Sequence, residues 1–289
     1  TAADYPASFA SVWGADACVI SWPADTASVC SQEGTNVALS AADRAKSNSA
    51  YDSIALSIAA YEGSTEVNRF SSKFDAYLAK RVKLSKEELA GYKLFAGKAQ
   101  SSACHVLTDK NKKAEGTIFT DFTYDNIGVP RNPENPIYNR IPDFVDKGLG
   151  GFLARRTDYA QFADANMGKH KVATLRNVDL RPSSETVKAY THNGYFKTLE
   201  GLVHFYNTRD VLARCPGDYS EAEALAANCW PAPELSTNLN TFEVGNLQLS
   251  ASEEASIVAF LKTLSDGYVV EGRSAELQSS TAYLPLITR

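Results

Sequence analysis

Directly after a helix-like run over 89–99, the chain reads Ser101-Ser102-Ala103-Cys104-His105. This is the pattern C-x-x-C-H with serine in place of its first cysteine. In that pattern two thiols form thioethers with the vinyl groups of a porphyrin and the histidine ligates the iron. A hydroxyl is a far weaker nucleophile than a thiol and makes no such bond. The expectation is therefore a c-type haem held through Cys104 alone, with His105 as its proximal ligand. Without a cofactor, the same five residues read as a buried thiol beside a surface imidazole.

The other cysteines bear on this choice. Cys18 and Cys30 form one sequence-local pair and Cys215 and Cys229 another, which leaves Cys104 as the odd thiol. Two short-loop disulfides are the natural partition, although other pairings of the four stay open. Disulfides place the chain in an oxidising compartment, so a periplasmic or otherwise exported protein is expected. Capture by haem would there remove an unpaired thiol that is otherwise a liability. Trp22 and Trp230 lie close in sequence to Cys30 and Cys229, where aromatic packing over a disulfide accounts for them, and Trp13 reads as a core anchor.

At 289 residues the chain can bury a large core. A net charge of −5 with mixed signs throughout argues against a nucleic-acid or anionic-membrane partner. No run approaches the roughly 18 apolar residues of a membrane span. The opening Thr1-Ala2-Ala3-Asp4 has neither the basic nor the apolar region of a signal peptide, so any export signal is expected to be cleaved or outside this sequence.

The periodicity is mostly helical. Tyr51, Ile54, Ala55 and Ile58 predict an amphipathic helix ending near Glu62-Gly63, and Phe70, Phe74, Tyr77 and Leu78 continue the spacing in a second. Ser85 with Glu88 forms a capping box ahead of Leu89, Tyr92 and Phe95, and Ser250 with Glu253 forms another ahead of Ile257, Leu261 and Leu264. Between these last two helices, 126–142 carries four prolines and 215–240 three more. Irregular stretches of that length suit the wrapping of a bulky planar group. The expected fold is mainly α, a cytochrome c-like haem domain with long irregular loops and preceding helices. Residues 1–84 form a helical N-terminal segment with a disulfide-pinned insertion, 85–270 the haem domain and 271–289 a tail.

Four further segments carry a resemblance. They are Phe119 to Pro130 (FTDFTYDNIGVP), Asp146 to Gly150 (DKGLG), Lys171 to Val178 (KVATLRNV) and Tyr190 to Phe196 (YTHNGYF). In this order, around Cys104-His105, they resemble the bacterial dihaem cytochrome c peroxidases, and most of all their MauG-like branch. The likeness runs from about Tyr5 to Tyr268 and covers the second half of that architecture. Family members carry an earlier domain with its own C-x-x-C-H haem, where peroxide reacts, and no such motif precedes Ser101 here.

The resemblance implies a role for each matching residue. His105 corresponds to the proximal ligand of the second haem, Cys104 to its second thioether cysteine, and Tyr206 to its distal ligand, which is methionine in typical members and tyrosine in the MauG-like branch. Leu199, Leu202, Val203 and Tyr206 share one helical face, which supports an inward Tyr206. A phenolate would stabilise ferric iron and favour higher oxidation states. Met167, the sole methionine, is the rival distal ligand, at a separation from His105 like that in small cytochromes c. His192 is expected near the haem edge as a catalytic candidate or as a helix cap, Arg176 at a haem propionate or in a structural ion pair, and His170 and His204 as surface or supporting groups. The family's calcium would fall at the backbone carbonyls of Val187 and Ala189.

The resulting expectation is a protein carrying the second haem, which passes electrons or oxidising equivalents to or from a redox partner or second haem domain in peroxide-linked chemistry. Two other readings stand beside it. One is a pure electron-transfer cytochrome; the other is a haem-less, disulfide-stabilised binding module with a reactive Cys104.

Overall fold

The computed structural model describes residues 6–32, 35–108, 114, 116–183 and 185–270. The tail expected over 271–289 lies outside the described residues. The chain divides into two compact units, with the boundary between Arg69 and Phe70.

The first unit contains α1 (Pro6–Trp13), α2 (Thr26–Cys30) and α3 (Ala41–Glu62). Ser40 caps α3 by accepting from the Asp43 N–H, and Gly63 ends it, where the sequence places its end. The Trp13 indole donates to Ser57 Oγ at 3.0 Å and ties α1 to α3. Two expectations fail in this unit. The apolar stripe of α3 is not buried: Tyr51, Ile54 and Ile58 are all exposed, and Ser53 is the one buried residue of the helix. Cys18 and Cys30 are exposed free thiols and not a disulfide. They sit on separate short helical segments, and a disulfide tolerates only a narrow range of Cα separations and side-chain directions.

The second unit begins with α4 (Lys73–Leu78) and α5 (Lys86–Ala96). It continues through long irregular segments to α6 (Gly148–Leu153), α7 (Leu199–Thr208), α8 (Glu221–Ala227) and α9 (Ala251–Lys262). Sheet is limited to two-residue strands: β1 (Tyr124–Asp125) runs antiparallel to β2 (His170–Lys171), and β3 (Ala213–Arg214) parallel to β4 (Cys229–Trp230). This helix-rich architecture agrees with the expected cytochrome c-like peroxidase fold.

Both capping boxes read from the sequence are present, Ser85 with Glu88 on α5 and Ser250 with Glu253 on α9. These two helices cross at Gly91, where a Cβ would lie 1.8 Å from the Ser256 carbonyl oxygen, so only glycine permits the approach. Phe74, Tyr92, Phe95 and Phe260 interlock around the crossing with ring centroids 5.1–5.3 Å apart. Phe74 is what places α4 with this unit, ahead of the boundary expected at residue 84. A second aromatic group, Phe196, Phe205 and Trp230, fills the space beside α7, and the Trp230 indole donates to Thr208 Oγ1 at 2.9 Å. The disulfide Cys215–Cys229 forms as expected and closes the loop that presents Trp230. Trp22, by contrast, is exposed.

Candidate functional site

The helix α5 ends at Ala96, and Gln100 then adopts a left-handed backbone (φ 53°) that turns the chain into a short 3-10 segment, Ser101–Ala103. The His105 N–H donates to the Ser101 carbonyl at 2.9 Å, and the Cys104 carbonyl accepts from the Asp121 N–H at 3.0 Å. The turn is thus fixed at both ends. His105 Nδ1 lies 3.0 Å from the Phe119 carbonyl oxygen. A ring that donates from Nδ1 offers Nε2 as the ligating atom, which is the usual arrangement behind a metal-bound histidine. Burial pushes the imidazole below its ordinary pKa, against the opposing pull of the hydrogen bond to the Phe119 carbonyl. The ring is therefore neutral, as ligation requires.

Ser101, Cys104 and His105 line a cavity of about 440 Å³. That volume lies in the range of sites for small molecules and cofactors, about 300–1,000 Å³. Leu202 and Tyr206 of α7 line it too. A smaller apolar recess of about 70 Å³ shares Ser101, His105, Leu202 and Tyr206 and reaches Phe95 and Ile257. Leu199 and Val203, on the same face of α7, are buried in the core, so the shared helical face read from the sequence does point inward. Burial raises the Tyr206 hydroxyl well above an ordinary phenol, and the nearby Asp125 carboxylate adds to it. The phenol keeps its proton at neutral pH unless a cation takes the oxygen.

The Cys104 sulfur lies 3.7 Å from Glu243 Oε2. Burial first, then the carboxylates of Glu243, Asp125 and Asp121, push its thiol pKa up to about 12. The Asn240 amide holds Glu243 at 2.7 Å. Ser101 spends its hydroxyl on the Ala99 carbonyl at 3.3 Å. A neutral imidazole, a thiol and a phenol around a mainly apolar cavity form a donor set that fits a haem.

Other candidates fall elsewhere. Met167, the rival distal ligand, does not line the cavity; its backbone is packed on Gly150 of α6, where a Cβ would come within 2.5 Å of it. Arg176 lines the cavity, but its guanidinium is 1% exposed and forks onto Asp75 at 2.8 and 3.0 Å, with a third bond to the Thr117 carbonyl. A guanidinium so occupied has its fork filled by a protein carboxylate and not by a propionate. His204 pairs with Glu254 at 3.1 Å. Val187 is exposed and Ala189 borders the cavity.

His170, expected as a surface or supporting group, is half-buried at the rim of the cavity, stacked on His192 at 3.6 Å between ring centroids. Burial, followed by the neighbouring His192, lowers its pKa. His192 Nε2 lies 3.4 Å from Glu234 Oε2. Sequence reasoning missed Glu234, Glu243 and Asp125 as site residues: Asp125 lies within the motif Phe119 to Pro130 but ends β1, Glu234 and Glu243 lie on an irregular stretch more than 100 residues later, and only the fold brings them to one cavity.

No family model matches the chain. It is 34% identical over 221 residues to methylamine utilization protein MauG of Paracoccus denitrificans (strain Pd 1222), covering 75% of this chain and 52% of that protein. It is 30% identical over 198 residues to the cytochrome-c peroxidase IdrP2 of Pseudomonas sp. (strain SCT), covering 65% of this chain and 42% of that one. Among solved structures it is similar to the diheme peroxidase BthA of Burkholderia thailandensis E264, with a TM-score of 0.53 and 31% identity over 70% of this chain and 48% of BthA. The chain spans about half the length of the relatives it matches.

Proposed function

We infer, for a chain that belongs to the MauG-like dihaem peroxidase family, that one haem would be held by Cys104 through a thioether and by His105 and Tyr206 at its iron. In this reading the chain passes electrons or oxidising equivalents between that haem and a second haem domain or a redox protein, in peroxide-linked chemistry in the periplasm. The observation that carries the reading is the cavity of about 440 Å³ lined by Cys104 and His105 from one turn and Tyr206 from α7.

The haem would supply one-electron redox chemistry at a metal whose potential the residues holding it would set. The chain's own residues do the rest. The Phe119 carbonyl holds the His105 Nδ1 proton and orients the ring. Cys104 offers the one thiol of the turn, while Ser101 keeps its hydroxyl on the Ala99 carbonyl. The desolvated Tyr206 hydroxyl would have to lose its proton to hold the iron, which would add an anionic oxygen to a site already bordered by Asp125 and Glu243. That accumulation of negative charge favours the ferric state. Calcium at the Val187 and Ala189 carbonyls has less support, since two carbonyls are a small part of the roughly six to eight oxygens the ion takes.

The test is the intact mass of the denatured, non-reduced chain together with its pyridine haemochrome spectrum, on protein made in an export-competent, haem-replete host. A mass raised by one haem and an alpha band between those of b-type and c-type haem are expected. An unmodified mass with no haem absorbance before denaturation overturns the reading. The haem-less module predicts a reactive Cys104, and burial with the nearby carboxylates, which push its thiol pKa up to about 12, works against that prediction. The electron-transfer cytochrome differs in one observable: its six-coordinate haem ignores peroxide.

A further inference from the structure

Three loops of the second unit converge at the rim of the cavity, and each carries a metal-ligating side chain. Asp146 stands just ahead of α6, His170 is on β2 and His192 in the turn after Tyr190. Their ligand atoms all lie within 4.8 Å of one another. Glu234 completes the group, with Oε2 3.4 Å from His192 Nε2.

The backbone holds this arrangement in place. Gly148, with φ +53°, lets the chain after Asp146 press against Lys169, where any Cβ would be 2.3 Å from the carbonyl oxygen. The Leu149 N–H then donates to the Lys169 carbonyl at 2.8 Å, and the Gly168 N–H to the Lys147 carbonyl at 2.9 Å, which clamps the Asp146 loop to the strand bearing His170. The Gly148 N–H donates to Asp146 Oδ1 at 2.8 Å and orients the carboxylate. On the other side Asn132 Nδ2 donates to the Asn193 carbonyl at 2.9 Å and fixes the His192 turn. Glu234 accepts from the Tyr138 hydroxyl at 3.2 Å and from the Asp146 N–H at 3.3 Å. Carboxylates already hydrogen-bonded from behind are the outer support a metal site needs.

Charge points the same way. The Glu234 side chain is 5% exposed. Among the described residues neither Glu234 nor Asp146 forms an ion pair with a lysine or arginine; the one charged-type partner is His192. Buried carboxylates are normally paired with a cation or coordinate a metal. The two imidazoles lie face to face, 6° from parallel; their lone pairs lie in the ring planes, so sharing one ion requires the His192 ring to swing out of the stack while His170 keeps its place on β2.

We propose that Asp146, His170, His192 and Glu234 bind one divalent transition-metal cation of the zinc type, at a site separate from the haem ligands. Two imidazoles with two carboxylates suit a borderline cation better than calcium or magnesium, which take oxygen alone. Tetrahedral ligation at about 2.0–2.1 Å needs ligand atoms roughly 3.3 Å apart. His192, at the exposed end of the group, supplies the movement that closes the present spacing.

The experiment is a calorimetric titration of zinc(II) into the haem-loaded chain, with His170→Phe and His192→Gln alongside. Phenylalanine keeps a flat ring for the stack and removes the donor nitrogens. The expected result is a saturable site for one zinc, weakened roughly tenfold or more in each variant. X-ray absorption of the bound zinc should show nitrogen and oxygen neighbours only. Each variant's thermal melt and haem spectrum, measured without zinc, show whether it has folded. Should one not fold, Asp146→Asn replaces it, and zinc must raise the melting temperature of the unaltered chain more than that of the variant. Equal affinity in the unaltered chain and the folded variants overturns the proposal. So does sulfur in the absorption spectrum, which would put zinc on Cys104 or the exposed thiols, and so does the absence of saturable binding.

Discussion

Replacing Asp75 by asparagine removes the charge that Arg176 is buried against. The pair is bidentate, at 2.8 and 3.0 Å, and the guanidinium side chain is 1% exposed. Breaking a buried pair by removing one partner costs about 3–5 kcal/mol, because the remaining charge is desolvated without compensation. For a unit of this size each kcal/mol lowers the melting temperature by about 2–4 °C, so a loss of roughly 6–20 °C is expected. Removing both charges, as in Asp75→Asn with Arg176→Met, should cost much less than the sum of the two single losses, since an apolar pair leaves no orphaned charge. Burial by itself would raise the Asp75 carboxyl, but the hydrogen bonds from Arg176 and Ser72 outweigh it and hold the group below its ordinary value. A lowered folded-state pKa gives stability that is fully present above the unfolded value, about 3.9, and lost as pH falls through the folded one. The gap between the original chain and Asp75→Asn should accordingly be widest near neutral pH and close in acid. Urea and thermal unfolding of the three variants at two pH values measure all of this. Additive single losses below about 1 kcal/mol would refute the reasoning, and haem loss from Arg176→Met with Asp75→Asn unaffected would return Arg176 to a propionate.

Four shorter predictions follow from the same geometry. Gly91→Ala places a methyl where the Ser256 carbonyl stands, and the α5–α9 crossing should open at a cost of about 1–3 kcal/mol by urea midpoint; unchanged stability would mean the helices do not cross there. Tyr206→Phe should abolish any tyrosinate charge-transfer band of the ferric haem and raise its potential, and an unaltered spectrum would assign the distal position to another group. Ser101→Cys restores the full attachment pattern, so the haemochrome alpha band should move to shorter wavelength at the same added mass; no shift would mean that Ser101 does not face a vinyl group. Cys215→Ala together with Cys229→Ala opens a loop of sequence separation 14 and should cost about 3 kcal/mol, read as a lower urea midpoint that reductant does not lower further.

Much of the second unit is legible residue by residue. The capping boxes at Ser85 and Ser250 are local patterns whose chemistry is complete within four residues, and both form. The inward face of α7 is legible because Leu199, Val203 and Tyr206 keep helical spacing. Spacing misleads where burial depends on what else is present. The stripe Tyr51, Ile54 and Ile58 has the periodicity of a buried face, yet among the described residues nothing covers it. Cys18 and Cys30 look like a pair by proximity in sequence, but a disulfide also demands a particular direction of each side chain, which spacing does not encode.

The sequence by itself determined the helices, their caps and the attachment turn at Cys104 and His105, because each of these is set by interactions between residues a few positions apart. Long-range convergence determined the rest. Which carboxylate meets Arg176 depends on a contact across 101 residues. That Glu243 reaches Cys104, and that Asp146, His170, His192 and Glu234 meet at one rim, depends on irregular loops whose course is fixed by backbone hydrogen bonds to distant segments. Such loops carry no periodicity to read, so the partners of their side chains become visible only when the chain has folded.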